Sequence, residues 1–186
     1  MTPIEPMQRN GLQLEIVEGI SSAVRAHPQA GSVTIRTRHR WDDGLAVDGQ
    51  AREIESAGEV TARGFTFRTD WPHEVGGQDS GPTPGEVVLG ALGGCVGMTY
   101  IMHAATQGID VDELDITIEA GWDVRGLFEL DGVPAGLSNV AVAISVRANA
   151  SDEVLDRIGE LTTRTSAVFN TVAHPVPMEL SVRRIR

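Results

Sequence analysis

Apolar and polar residues alternate with a period of two in several parts of the chain, which is typical of half-buried strands. The first such stretch, "SVTIRTRHRW", places Val33, Ile35 and Thr37 on one side of a predicted strand. The turn residues of "WDDGL" follow, and "REIESAGEVTARGFTFRTD" predicts one or two further strands. Later, "ELDITIEAGWDVRGLFEL" and "LSNVAVAISVRAN" alternate like the two arms of a long hairpin.

A long helix is predicted between these two groups of strands. Thr83 is its candidate N-cap, Pro84 occupies the first helical position, and Glu86 stands where a capping box requires an acidic residue. Gly108 is the candidate C-cap. The small residues Gly90, Gly94 and Gly97 would let another backbone approach this helix closely.

Three shorter elements complete the pattern. Ser151 caps a predicted helix with an apolar stripe that contains Val154, Leu155, Ile158 and Leu161. "TSAVFNTVAH" predicts a third helix, and "VPMELSVRRI" predicts a closing strand. The order of elements predicts an α+β fold in which an antiparallel sheet covers one side of a long buried central helix. We assign residues 1–31 to an N-terminal extension with a short helix, and residues 32–186 to the main domain.

The charge of the chain limits its partners. It carries 26 acidic against 15 basic residues and a net charge of −11, so we expect neither nucleic acid nor an anionic membrane surface as a partner. The uncharged run Val87–Ala105 is about long enough to span a bilayer, but its glycines and polar residues favour a helix inside a soluble protein. A single cysteine excludes an internal disulfide, and we expect a cytoplasmic location.

The single cysteine, Cys95, allows two interpretations. Free cysteines are among the most buried residues, and most are inert. A thiol becomes a nucleophile when a nearby positive charge lowers its pKa, and Arg68, at the end of a predicted strand, is the candidate source of that charge. Arg68 could equally be an exposed strand residue.

Glu86 also allows two interpretations, because its carboxylate could orient Arg68 or could close the capping box. The five histidines show no metal-site spacing, and the glycines of "EVGGQDSGPTPG" lack the lysine of a phosphate loop. We therefore expect no metal and no cofactor.

Three segments carry a resemblance to a known family. "TPGEVVLGALGGCVGMTYIMHAATQGIDVDEL", "GFTFRTDWPHEVGGQDSGP" and "TSAVFNTVAHPVPMEL" resemble, in order and spacing, the central helix, the preceding loop and the C-terminal part of the OsmC/Ohr proteins. The resemblance covers about residues 32–186. It implies an intertwined homodimer and thiol-dependent reduction of organic hydroperoxides. In that chemistry, Cys95 would attack the peroxide, Arg68 would lower the thiol pKa, and Glu86 would position the arginine.

Two positions depart from the family pattern. Ser166 stands where the family has a second cysteine, so a disulfide cycle within one chain is excluded. Gly85 stands where the family has its glutamate, and Glu86 comes one residue later, which turns its side chain by about 100° on a helix. Ser166 also suits a helix N-cap.

Three functions follow as alternatives. The first is an OsmC-like stress-response protein that reduces hydroperoxides through Cys95, with an external thiol as reductant. The second is a non-catalytic dimer that binds a small apolar or thiol-bearing ligand. The third is a purely structural dimerisation module.

Overall fold

A computed structural model of the chain describes residues 8–185. They contain helices and antiparallel strands, as the α+β prediction requires. In chain order the elements are β1 (Gln8–Arg9), β2 (Leu12–Gln13), α1 (Leu14–Ala26), β3 (Val33–Trp41), β4 (Val47–Ser56), β5 (Glu59–Ala62), β6 (Thr66–Thr69), α2 (Pro84–Thr106), β7 (Val111–Gly121), β8 (Ser138–Ala148), α3 (Asp152–Thr165) and α4 (Ala167–Ala173).

The chain divides into two compact units. The first comprises the residues up to Gly90 together with Gly121–Ser138, and the second comprises Ala91–Ala120 together with the residues from Asn139 onward. This division differs from the boundary at residues 31 and 32 that the sequence suggests, and that boundary stays a prediction. Helix α1 lies within the predicted extension and buries none of its side chains.

The first unit is built around β4. One edge of β4 pairs antiparallel with β3 along its whole length, and the other edge pairs with β6 and then with β5. The register between β3 and β4 shifts after Arg36, where Arg52 is an extra residue on β4. Strands therefore form in the region predicted between residues 33 and 69, but β3 is followed there by three strands, β4, β5 and β6, rather than by one or two.

An exposed apolar row lies on β3. Val33, Ile35 and Trp41 share one face of the strand, and 53%, 69% and 67% of their surfaces are accessible. This face of β3 therefore leaves three large apolar side chains uncovered by the described part of the chain.

The loop after β6 is organised by one buried carboxylate. Asp70 accepts hydrogen bonds from the backbone N–H groups of Trp71, Gln78 and Ser80, and from the Ser80 hydroxyl at 2.7 Å. The hydrogen bond from the Ser80 hydroxyl, supported by those backbone bonds, lowers the pKa of Asp70 to about 2. This carboxylate holds together the two ends of a loop that leads into α2.

The second unit has its core between helices and a strand pair. Strands β7 and β8 pair with each other, and alternate residues on each strand are half-buried. Tyr100, Ala104, Ile109 and Ile158 form the buried cluster. Burial of a side chain as large as Ile158 contributes about 1.5–3 kcal/mol to stability. The apolar stripe predicted for α3 therefore includes the residue that anchors this helix.

Helix α2 begins and ends as predicted. Glu86 and Thr83 form the capping box, and Gly108 follows the helix with a left-handed φ of 81°. Five of its residues are buried, whereas Met98 is 70% exposed, so the described residues leave part of the helix surface uncovered. Within residues 8–185, α2 is also the single helix that is long and apolar enough to cross a membrane, a test that core helices of soluble proteins pass as well.

The predicted closing strand is wrong for the isolated chain. Residues 175–185 have no regular secondary structure, and Met178, Leu180 and Val182 are each at least 92% exposed. A strand forms only where a neighbouring strand satisfies its backbone N–H and C=O groups, and the described part of the chain supplies no such neighbour here.

The Asp70 network makes stability depend on pH. The folded pKa of about 2 lies below the unfolded value of 3.8, so the folded state binds fewer protons. The stabilisation is therefore complete above pH 3.8 and is lost as the pH falls toward 2. We expect Asp70→Asn to unfold at lower denaturant concentration at neutral pH and to lose this part of the acid dependence. Asp79→Asn, in the same loop, should behave like the wild type. Equal acid dependence in the wild type and Asp70→Asn would contradict this prediction.

Candidate functional site

The thiol of Cys95 lies at the start of α4. Cys95 belongs to α2 and is partly buried. The fully buried Ser166 is the N-cap of α4, and its hydroxyl donates a hydrogen bond to Cys95 Sγ at 3.2 Å. The second unit thus brings Cys95 into contact with Ser166, the position at which the family resemblance places a second cysteine.

The junction of two helices fixes the Ser166 hydroxyl. The backbone of Ser166 leaves the helical region with φ −71° and ψ 116°, so that α3 ends and α4 begins at this residue. Its N–H donates to the Thr162 carbonyl, and its hydroxyl oxygen accepts the N–H of Phe169 at 3.4 Å. The N-cap prediction for Ser166 is therefore confirmed, and the same hydroxyl also contacts the thiol.

Two opposing effects act on the pKa of the Cys95 thiol. Partial burial raises the pKa, because a thiolate is less well solvated than in water. The Ser166 hydroxyl and the backbone N–H groups of Val168 and Ala167 lower it by hydrogen bonding. The Thr99 hydroxyl donates instead to the Cys95 carbonyl at 2.7 Å. The hydrogen bonds prevail, and the pKa of Cys95 is lowered from its ordinary value. These dipolar groups favour the thiolate without requiring a formal charge.

Arg68 is bound within the first unit by two carboxylates. Its Nη1 donates to Asp48 at 2.7 Å and its Nη2 to Asp42 at 2.9 Å. Its Nε donates to the Ser80 hydroxyl at 2.9 Å, and that hydroxyl in turn donates to Asp70. The hydrogen bonds that Arg68 donates to Asp42 and then to Asp48 raise the pKa of Arg68. The predicted pairing of Arg68 with Cys95 joins residues of two different units and stays a prediction.

Glu86 caps α2. Its carboxylate accepts hydrogen bonds from the backbone N–H and the hydroxyl of Thr83 at 2.7 and 2.8 Å, and these bonds lower its pKa. The carboxylates that hold Arg68 are thus Asp42 and Asp48 rather than Glu86. Sequence reasoning missed this pair because they come from the end of β3 and from β4, and only the strand register brings them to Arg68.

The glycines of α2 have different surroundings. A Cβ at Gly97 would lie 3.0 Å from Ile116 Cδ1, and one at Gly93 would lie 3.4 Å from Ile118 Cδ1. Gly97 therefore lets strand β7 approach the helix. Gly90 and Gly94 face open space, where a Cβ would meet no atom within 4 Å.

The second unit also contains an apolar cavity. It has a volume of about 400 Å³ and is lined by Val96, Val140, Val142, Ile144 and Phe169, among others. Val96 follows Cys95 on α2, and the backbone N–H of Phe169 donates to the Ser166 hydroxyl, which contacts the thiol. Among residues 8–185, no group of three or more His, Cys, Asp or Glu side chains is placed to hold a metal ion.

Comparison with known proteins identifies the family. The OsmC-like protein family matches residues 77–181, and the chain belongs to this family. No curated protein matches the sequence at a significant level.

Solved structures of low sequence identity share the fold. An OsmC-like protein from Mycoplasma pneumoniae is 14% identical, with a TM-score of 0.56 over 77% of this chain and 89% of that chain. An organic hydroperoxide resistance protein OsmC from Legionella pneumophila is 14% identical, with a TM-score of 0.50 over 75% of this chain and 88% of that chain. An organic hydroperoxide resistance protein from Elizabethkingia anophelis, with thiocyanate bound, is 13% identical, with a TM-score of 0.50 over 76% of this chain and 89% of that chain.

The Ser166 hydroxyl should control the acidity of the thiol. Removal of this donor in Ser166→Ala should raise the pKa of Cys95, so that the pH profile of alkylation by iodoacetamide shifts to higher pH. The substitution also removes an N-cap and should cost about 1 kcal/mol of stability, so the profiles are measured well below the melting temperature. Thr163→Ala is the matched control, because that hydroxyl donates to the Glu160 carbonyl instead.

Arg68→Ala, measured in the same way, tests the pairing predicted from the sequence. A profile that shifts to higher pH would support that pairing, and an unchanged profile would contradict it. If Ser166→Ala has the same alkylation profile as the wild type, the Ser166 hydroxyl does not lower the pKa of Cys95 and this prediction is contradicted.

Proposed function

We propose that the protein is an OsmC-like stress-response protein that reduces organic hydroperoxides through the single thiol of Cys95. The hydrogen bond from the Ser166 hydroxyl to Cys95 Sγ carries this proposal, because it stabilises the thiolate that must attack. Membership of the OsmC-like family supports the same chemistry. A chain with one cysteine suits the reducing cytoplasm, where we place this activity.

The proposed reaction has three balanced steps. The Cys95 thiolate attacks the outer oxygen of the hydroperoxide, the O–O bond breaks, and the alkoxide leaves as an alcohol after it takes up a proton. Cys95 is then a sulfenic acid. An external thiol condenses with it to form a mixed disulfide and water, and a second external thiol releases Cys95 and forms the external disulfide.

The reductant must come from outside this chain because Ser166 cannot resolve the sulfenic acid. Its hydroxyl can donate a hydrogen bond to the oxidised sulfur, but it cannot form a disulfide. We propose Arg68 as the cation that assists the attack, with Asp42 and Asp48 as the carboxylates that hold it. Glu86 then acts indirectly, by capping the helix that carries Cys95.

A second candidate function is supported by the apolar cavity. A volume of about 400 Å³ can accommodate part of a small apolar molecule, and its lining includes the residue after Cys95. In this alternative the protein is not an enzyme, and the thiol contacts a ligand without reaction. A wild-type alkylation profile that resembles an ordinary cysteine, without consumption of peroxide, would favour it.

We also propose that the protein is a homodimer. The apolar row on β3 and the apolar residues of the C-terminal segment, Met178, Leu180 and Val182, are exposed within one chain. The segment alternates apolar and polar residues, as a strand does, and a second chain could supply its missing neighbour. Gly94 leaves open space on α2 for the same partner.

The wild type should consume hydroperoxide through Cys95, and a second cysteine introduced at position 166 should lead to a disulfide in place of a stable sulfenic acid. With cumene hydroperoxide and dithiothreitol we expect turnover by the wild type and none by Cys95→Ser. Without the dithiol, the intact mass of the wild type should increase by one oxygen atom. Ser166→Cys should instead form a disulfide with Cys95, because the two γ atoms are already 3.2 Å apart in the wild type.

Thr163→Cys is the control for the introduced thiol, because its side chain bonds elsewhere on α3. It should not form this disulfide under the same treatment. Peroxide consumption by the wild type equal to that of Cys95→Ser would exclude the proposed activity.

Gly94→Leu should separate a dimer into monomers. The added side chain meets no atom of its own chain near its Cβ, so the fold should be retained while a closely packed partner helix is displaced. Light scattering after size-exclusion chromatography measures the mass. Gly19→Leu on α1, where a Cβ also meets nothing, is the control and should stay dimeric. A wild type that is monomeric at micromolar concentration would overturn the proposal.

A further inference from the structure

The charged face of the sheet in the first unit contains a second candidate site. Because side chains alternate along a strand, Arg36, Arg38 and Arg40 of β3 share one face, opposite the apolar row. The register places Arg38 beside Gln50 of β4, and Gln50 beside Thr66 of β6.

The next row of the same face is more strongly charged. Arg40 lies beside Asp48, and Asp48 lies beside Arg68. The two rows thus form a grid of six side chains across three strands. They line a cavity of about 580 Å³.

The three arginines of this grid are not equally paired. Arg68 is held by Asp42, Asp48 and Ser80, which fixes its guanidinium in one position. Asp48 therefore binds Arg68, although it also lies directly opposite Arg40. In the described part of the chain, neither Arg38 nor Arg40 forms a salt bridge or a side-chain hydrogen bond.

Arg36, on the same face of the sheet, forms salt bridges with two carboxylates. Its Nη1 donates to Glu53 at 3.2 Å, and both Nη atoms donate to Glu55 at 2.9 Å. Two steps along the same strand, in a chain with an excess of acidic residues, Arg38 and Arg40 have no such carboxylate. Like charges that converge on a cavity repel each other, and a bound anion removes that repulsion.

We propose that this cavity binds a small oxyanion, the carboxylate or phosphate group of a small molecule, through Arg38 and Arg40. Guanidinium groups match such groups with paired hydrogen bonds. Gln50 and Thr66 add neutral donors on one side of the cavity. On the other side, Asp42 and Asp48 balance the charge of Arg68, so Arg38 and Arg40 supply the positive charge of the site. The site lies within the first unit, and anion binding by Arg38 and Arg40 does not require Cys95 to react, although the cavity shares Arg68 with the proposed reaction.

The test measures binding of two probes to the full chain at constant ionic strength, with chloride as the balancing anion. Inorganic phosphate and sodium hexanoate distinguish a phosphate from a carboxylate. Titration calorimetry gives the dissociation constant, and the rise in melting temperature reports the same binding. We expect at least one probe to bind the wild type, and Arg38→Gln/Arg40→Gln to weaken it by about tenfold or more.

Arg36→Gln is the matched control, because it removes one positive charge from the same face but outside the cavity lining. Its affinity for the probe should stay within about twofold of the wild type. All three proteins should have the same mass by light scattering, since the three substituted arginines are exposed.

Four results would overturn the proposal. The first is that neither probe binds, and the second is that the double variant binds as tightly as the wild type. The third is that Arg36→Gln weakens binding as much as the double variant does. The fourth is dissociation of an oligomer by the double variant alone, which would mean that a second chain occupies the cavity.

Discussion

The close approach of α2 to β7 is the constraint on which the second unit depends. Gly97 and Gly93 let the side chains of Ile116 and Ile118 reach the helix, and a methyl group at position 97 would already be 3.0 Å from one of them. This contact allows Tyr100 and Ala104, further along the helix, to pack against Ile158 of α3. Helix α3 ends at Ser166, so the packing of this helix also positions the Ser166 side chain. The placement of a hydroxyl beside the thiol is thus a consequence of backbone packing elsewhere in the same unit.

Ser166 combines a structural and a chemical contribution in one side chain. Its oxygen accepts a backbone N–H to start α4, while its proton points to Cys95. A cysteine at this position could form a disulfide, whereas the serine supplies a permanent hydrogen bond. The site therefore has the means to favour a thiolate but lacks an internal means to resolve an oxidised one. In the proposed reaction, the chain itself would favour the thiolate, and an external thiol would regenerate it.

The positions of the carboxylates in the first unit determine which of its arginines form ion pairs. Asp70 organises a loop through backbone N–H groups, and through Ser80 it also orients Arg68. Asp48 binds Arg68 and leaves Arg40, its direct neighbour across the strands, without a carboxylate. A strongly acidic chain can therefore present a local surface of unpaired positive charge. The expectation about macromolecular partners rests on net charge, and net charge does not describe such a surface.

The sequence by itself determined the local elements. Period-two alternation predicts β3, β7 and β8, and capping residues predict both ends of α2 and the start of α4, because these signals arise from neighbouring residues. It also predicted the family through Cys95 and the residues around it. The C-terminal segment shows the limit of this reasoning, since its alternating pattern is that of a strand but a strand also needs a partner. Only the tertiary structure decided that Ser166 bonds to Cys95 and that Asp42 and Asp48 hold Arg68. These pairs are 71, 26 and 20 residues apart, and their meeting depends on helix packing and strand register, which no local pattern specifies.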